Sequence, residues 1–282
     1  MWLIALNLLS WGLKGFHKIV IGDLMNKYLR GIGIISILCF SFYFTSEAAI
    51  WMKKKDPIYE TIVLVSNDLH EEPVNAIIDG DYIIPGLNAV DVDVNKSFRN
   101  MKYLGYYDVS SLAYEEKMPT ISVEENKDKI IKKGNPLKNA VSIIIDNQQI
   151  ETYFEEMSIP YGAITTHDNL NQERKFGLKL LKDNKDYELL YKKLKDKSEN
   201  NDYCLLSDTE YKYCQKNKIK IKFSLYISKA NYANLYSKVS AGDIIYFDSS
   251  LDLASIKVLI DKIEFQGLKI VSLEKLLSES RM

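Results

Sequence analysis

Three short stretches of the chain set acids or an imidazole where chemistry could be built. Asp146 ends the apolar run Val141-Ser142-Ile143-Ile144-Ile145 and is followed by Asn147-Gln148. Asp248 ends Asp243-Ile244-Ile245-Tyr246-Phe247, and His167-Asp168 follow Tyr161-Gly162-Ala163-Ile164-Thr165-Thr166. Carboxylates and an imidazole near neutrality are the side chains that carry protons in hydrolysis. Each also has a plainer use. An acid just past a strand caps the next helix, with Ser249 and Asp252 as rival caps beside Asp248, and His167 can hydrogen-bond Asp168 or water. The chain has 3 histidines, and His17 and His70 lie far from these stretches, so an imidazole-rich metal cluster has no material. No metal ligands are assigned. Cys204 and Cys214 do not follow a C-x2-C zinc spacing. They read as a disulfide or as two buried thiols, with Cys204 on a strand and Cys214 closing the helix after it.

Positioning these residues takes alternating elements. Residues 141–145, 161–166, 203–206, 219–227, 243–247 and 269–271 are short β-rich runs separated by helical patterns, which predicts parallel β/α units. Sites in such folds lie at the carboxyl ends of strands, where Asp146, His167 and Asp248 fall. Ser207 and Glu210 form a capping box for one helix. Leu253, Ile256, Leu259, Ile260 and Ile263 make the apolar stripe of another, ended by Gly267. Before this β/α domain, assigned to 140–282, residues 56–136 predict a small α+β module. It has two extended pieces around Gly80-Asp81, a Pro85-Gly86 turn, a helix over 94–103, and a capping box at Ser122 and Glu125 opening a helix through 131. Gly134-Asn135-Pro136 marks the boundary.

With 282 residues and 46% hydrophobic content the chain can bury a full core. Its net charge of −1, with lysines interspersed among acids, excludes a nucleic-acid footprint. The 19 tyrosines read as packing residues with a wet hydroxyl rather than as sugar-stacking surfaces. Residues 31–52 are apolar enough for a signal anchor or transmembrane helix if Glu47 lies near an interface. Lys27 and Arg30 precede the segment and Lys53-Lys54-Lys55 follow it, and the favoured orientation leaves 1–30 as a cytoplasmic leader and the carboxy-terminal domain outside. Two alternatives stay open: translation from Met25, whose Met25-Asn26-Lys27-Tyr28-Leu29-Arg30 is a compact basic start, and cleavage after Ala48.

The stretch from Gly242 to Leu277 resembles the end of the NodB-type polysaccharide deacetylases, carbohydrate esterase family 4. Their last barrel strand has the form Gly-Asp-Ile-Ile-Leu-Leu-His-Asp before a helix and a Gly-Tyr-x-Phe-Val-Thr-Leu-like ending. Val141 to Asn147 resembles the family's first strand and its Thr-Phe-Asp-Asp-Gly motif. The resemblance covers about half the chain and implies a shortened, deformed β/α barrel. In active members a divalent metal such as zinc, held by one aspartate and two histidines, polarises the acetyl carbonyl and activates water. Residue by residue, Asp146 matches the base and Asp248 stands at the late histidine, the acid. Asn147 replaces the metal-binding aspartate and Gln148 the turn glycine. No His-x-x-x-His or Arg-x-Pro motif is present.

The resemblance therefore implies a degenerate homologue at the cell membrane that needs no cofactor and binds cell-wall polysaccharide or an envelope protein. Vestigial Asp146 and Asp248 would line its mouth, with Asn147, His167 and Asp168 as binding residues. Two rivals remain: an active N-deacetylase, a hydrolase of the C–N amide bond of acetylated sugars, rebuilt on Asp146, His167 and Asp248; and an envelope scaffold whose contacts lie in residues 80–88.

Overall fold

The computed structural model describes residues 32, 34–197, 202–207 and 211–282, which divide into two compact units. The leader, the alternative start at Met25 and the helix start at Ser207 to Glu210 fall wholly or largely outside these residues.

The first unit holds three helices: α1 (Ile34–Lys54), α2 (Pro57–Asp68) and α3 (Val94–Lys102). With 21 residues and a mean hydropathy of 1.5, α1 is long and apolar enough to cross a membrane, reaching about 30 Å at 1.5 Å per residue. Pro57 starts α2, where its missing N–H costs nothing, and the Asp56 carboxylate accepts from the Ile58 N–H at 2.9 Å. Ile62, Phe98 and Met101 are buried, and Phe98 meets Tyr59 edge-on at 5.6 Å.

The second unit contains the sheet. Its strands are β1 (Ile77–Asp79), β2 (Tyr82–Ile84), β5 (Ile130–Ile131), β6 (Ala140–Ile145), β7 (Tyr161–Ile164), β8 (Gly177–Lys182), β9 (Tyr203–Leu205), β10 (Ile219–Ile221), β11 (Leu225–Ile227), β12 (Ile244–Phe247) and β13 (Lys269–Ile270). They run in the order β1-β2-β5-β10-β9-β8-β7-β6-β12-β11, with β13 on the early half of β6. A separate two-stranded sheet pairs β3 (Ala89–Val92) with β4 (Tyr114–Lys117) antiparallel, with α3 in the connection between them. Every pair in the large sheet is parallel except β1 with β2, where Gly80 takes φ +58° in a two-residue turn.

Connectivity shows how far the sheet curls. β10 pairs with β9 and β5, whereas β11 pairs with β12 at the far end, yet only residues 222–224 join them. The two ends of the sheet are thus held close together. Lys222 N–H donates to the Ile131 carbonyl at 2.8 Å, Ser224 N–H to the Ile244 carbonyl at 2.8 Å, and Gly134 N–H to the Gly242 carbonyl at 2.7 Å. Gly242 sits at φ +88°, and a Cβ there would lie 2.3 Å from the Gly134 carbonyl oxygen, so only glycine allows this seam.

Alternation sorts the strand residues. Ile144, Ile164, Leu180, Leu205, Ile221, Ile244 and Tyr246 face inward and are closed from below by Leu273, Leu276 and Leu277 of α8 (Leu273–Leu277). Val141, Ile143, Ile145, Ile245 and Phe247 face outward against α4 (Gln148–Glu156) and α7 (Leu253–Phe265). A third cluster packs Leu181, Cys204 and Leu206 on α5 (Tyr187–Asp196), and α6 (Tyr232–Leu235) follows β11.

The structure departs from the sequence reading in five places. β8 was not foreseen at all. Residues 219–227 form two strands at opposite ends of the sheet. The Ser122 hydroxyl does accept from Glu125 N–H at 3.3 Å, but the chain runs on as successive turns into β5 and makes no helix. Cys214 lies in a bend rather than at a helix end, bonded to Cys204 across a Cα separation of 6.0 Å. Residues 56–136, expected as a separate module, are shared between the units, and β2 and β5 continue the main sheet across Gly134-Asn135-Pro136. The helix over 94–103, the Gly80-Asp81 turn and the helix ended by Gly267 (φ +74°) form as read, with Asp252 capping α7 through Ser255 N–H at 2.8 Å.

Candidate functional site

Register brings the site together. Ile145 pairs with Phe247, so Asp146 and Asp248 emerge level at the carboxyl ends of neighbouring strands, and both share the inward parity of Ile144 and Tyr246. Lys182 ends β8 with the inward parity of Leu180. Its ammonium donates to Asp146 Oδ2 at 3.0 Å, and the Tyr246 hydroxyl donates to the same oxygen at 3.0 Å. The ammonium also reaches the Tyr246 oxygen at 3.4 Å and lies 5.5 Å from the centre of its ring. Asp146 is therefore one corner of a closed Asp-Lys-Tyr triangle.

Asp248 forms the second group. The Tyr226 hydroxyl donates to its Oδ2, and Ser250 N–H donates to Oδ1 at 2.9 Å. These bonds, Ser250 first and Tyr226 next, hold the carboxyl below the usual range of an aspartate. Asp248 is ionised at neutral pH and has no proton to give as an acid. The Tyr226 phenol is raised by its bond to Asp248, and the Tyr246 phenol by burial and then by the Asp146 charge. Tyr226 and Tyr246 stack at 5.5 Å with 12° between planes, and Phe223 leans on both at 5.9 and 5.3 Å. The expectation that the tyrosines only pack therefore misses a shelf of three rings beside two carboxylates.

Asn147 does what an asparagine past a strand does best. Its Oδ1 caps α4, accepting from Gln149 N–H at 2.9 Å and Ile150 N–H at 3.4 Å, while its amide donates to the Ser249 carbonyl at 3.4 Å. That bond ties the loops after β6 and β12. His167 points elsewhere, with Nε2 3.9 Å from Asp186 Oδ1 and both side chains exposed. Among the described residues no hydrogen bond or ion pair joins His167 or Asp168 to Asp146 or Asp248. A groove of about 880 Å³ opens at the other end of β8, around Gly177, Glu155, Arg174 and Lys197, away from these carboxylates.

This curled sheet matches solved structures over 80% of the chain. Wild-type BA3943, a CE4 family pseudoenzyme from Bacillus anthracis, aligns at a TM-score of 0.54 with 18% identity over 97% of its own length. The chain has the carbohydrate esterase family 4 fold. A mutant of BA3943 with restored enzymatic activity aligns at 0.55 and 18% identity over 100% of its length. The uncharacterized protein YlxY of Bacillus subtilis (strain 168) is 33% identical over 104 residues, 36% of this chain. That alignment spans about a third of the length of YlxY, 33%. No family model matches the chain.

The esterase fold implies a divalent metal, and the donors at the mouth among the described residues do not fit one. The Asn147 oxygen is spent on the helix cap, and Asp146 is already neutralised by an ammonium. Among the described residues one group of His, Cys, Asp or Glu side chains comes close enough to share an ion, Asp183 with Cys204 and Cys214. Its sulfurs are bonded to each other, and Asp183 accepts from the backbone N–H groups of Lys212, Tyr213 and Cys214 at 2.7 to 2.9 Å. The site residues that sequence reading missed are Lys182, Tyr226, Tyr246 and Phe223.

Proposed function

We propose that this chain is a single-pass membrane protein of the cell envelope whose carboxy-terminal, deacetylase-like domain lies outside and binds cell-wall polysaccharide without hydrolysing it. The observation that carries the reading is the helix-cap role of Asn147, the residue beside Asp146. Hydrolysis by this route needs a carboxylate base next to a Lewis acid that polarises the carbonyl and activates the water. Here Lys182 and Tyr246 both donate to Oδ2 of Asp146, and the Asn147 oxygen is taken up by the N–H groups that open α4, which leaves the base without a donor beside it to hold that metal. The aromatic shelf and the flanking acids supply what a sugar-binding cleft uses, ring faces for C–H groups and oxygens for hydroxyls. The apolar α1, long enough to cross a bilayer, supports a tether.

The test is direct. The full chain, solubilised in a non-ionic detergent, is expected to sediment with purified peptidoglycan, to release no acetate from N-acetylated chito-oligosaccharides, and to carry no stoichiometric divalent metal. Acetate release abolished by a chelator and by Asp146→Ala would establish an active deacetylase instead. Failure to bind glycan together with a specific co-purifying envelope protein would establish the scaffold.

A further inference from the structure

Asp248 is the carboxylate at the barrel mouth without an ion-pair partner of its own. Lys182 pairs with Asp146 at 3.0 Å and acts on Asp248 only at longer range, so one ammonium faces two carboxylates, and among the described residues no lysine or arginine lies within 4 Å of Asp248. Its two partners, the Tyr226 hydroxyl and the Ser250 N–H, are neutral donors that orient the carboxylate and leave its charge in place. The ring beside it, Tyr226, is 40% exposed and is backed by Tyr246 and Phe223. The loops that follow β7 and β8 carry Asp168, Asp183 and Asp186 beside Lys185, and those that follow β10 and β11 carry Lys222 and Lys229.

An ionised carboxylate fixed at the edge of an open aromatic face is the arrangement that recognises an ammonium, through a charge-assisted hydrogen bond and the ring's negative face together. An acetamide in the same place offers one neutral N–H and no charge, a weaker partner for the carboxylate than an ammonium, while a carboxylate or phosphate on the ligand would be repelled. We propose that the mouth selects glycan bearing free amines, glucosamine rather than N-acetylglucosamine, with Asp248 receiving the ammonium and Tyr226 the sugar face. The inference rests on the glycan-binding reading and deepens it. A chain of this fold would then hold the product of an N-deacetylation, which places it after a reaction that strips acetyl groups from the polymer.

Calorimetric titration of the full detergent-solubilised chain at about pH 6, where an amino-sugar nitrogen, like an α-amino group, carries its proton, tests this. The probes are a β-1,4 glucosamine hexamer and its fully N-acetylated counterpart. The free-amine hexamer is expected to bind at least about tenfold more tightly, and Asp248→Asn is expected to bring the ratio within about twofold. Raising the ionic strength should shrink the wild-type preference, a readout that stands even if the variant fails to fold. Equal or reversed affinities would overturn the inference and leave glycan binding standing, as would a preference that survives Asp248→Asn or is untouched by salt. Displacement of the hexamer by a short polylysine would reduce it to unspecific charge attraction. Binding of neither probe would remove the glycan reading itself.

Discussion

Asp146 and Glu151 lie five positions apart, and each holds a cation, but burial makes the two pairs different objects. The Asp146 and Lys182 side chains are 35% and 33% exposed, so water screens their attraction. Those of Glu151 and Arg174 are 3% and 1% exposed, at 2.7 Å, and neither can be solvated if the other is lost. Lys182→Met is therefore expected to lower the unfolding free energy by less than about 1 kcal/mol. Glu151→Ala should cost about 3–5 kcal/mol, because it strands a buried guanidinium. Urea unfolding of both variants measures this directly, and equal losses would contradict it. The residues of the site divide in the same way by what a sequence can show. Asp146, Asn147 and Asp248 were legible because each sits one or two residues past an apolar run, where strand ends fall. Lys182 and Tyr246 were not, since they reach Asp146 from 36 and 100 residues away. Nothing local marks such a partner until the strands are put in register.

At the scale of elements, β8 shows why. After Gly177, Leu-Lys-Leu-Leu-Lys is made of residues that favour helices, and similar Leu and Lys spacing returns in α5. Pairing with β7 on one side and β9 on the other overrides that preference. The signals that could have found it were Gly177 at one end and Asp183-Asn184-Lys185-Asp186 at the other, bracketing six residues, which is strand length. The parallel strands β6, β7, β9 and β12 were readable because both faces are covered and their sequences are almost wholly apolar, Ser142 being the one polar residue among them. Just beyond Lys182, the Cys204–Cys214 bond and the three N–H groups bound by Asp183 tie the 211–214 bend to the end of β8. Closing a loop of 10 residues is worth about 2–3 kcal/mol through the unfolded chain. A reductant should lower the melting temperature of the native chain and leave a Cys204→Ser/Cys214→Ser variant unmoved. A native melting point insensitive to reductant would contradict that value.

Over the whole second unit, one sheet runs through residues on both sides of Gly134-Asn135-Pro136. The fold class was legible there, because alternating β and α patterns leave few other architectures. The reach of the sheet was not, because β5 is two residues long and gains its place only from β2 and β10. A chain starting at Ala140 lacks β1, β2 and β5 and bares the edge of β10, so it is expected to aggregate on expression. One starting at Leu69 keeps those strands and should elute as a single species in size-exclusion chromatography. Monomeric behaviour of the shorter chain would show that the edge needs no cover. The three residues between β10 and β11 have a last effect on what can enter. Four peptide steps, from Ile221 to Leu225, reach at most about 14 Å, so opposite lips of the mouth are laced together by a drawstring that cannot be let out without unravelling strands. No jaw can swing open around a polymer, and a long chain must lie across the rim and dip single rings toward Tyr226, as a finger reads a notch.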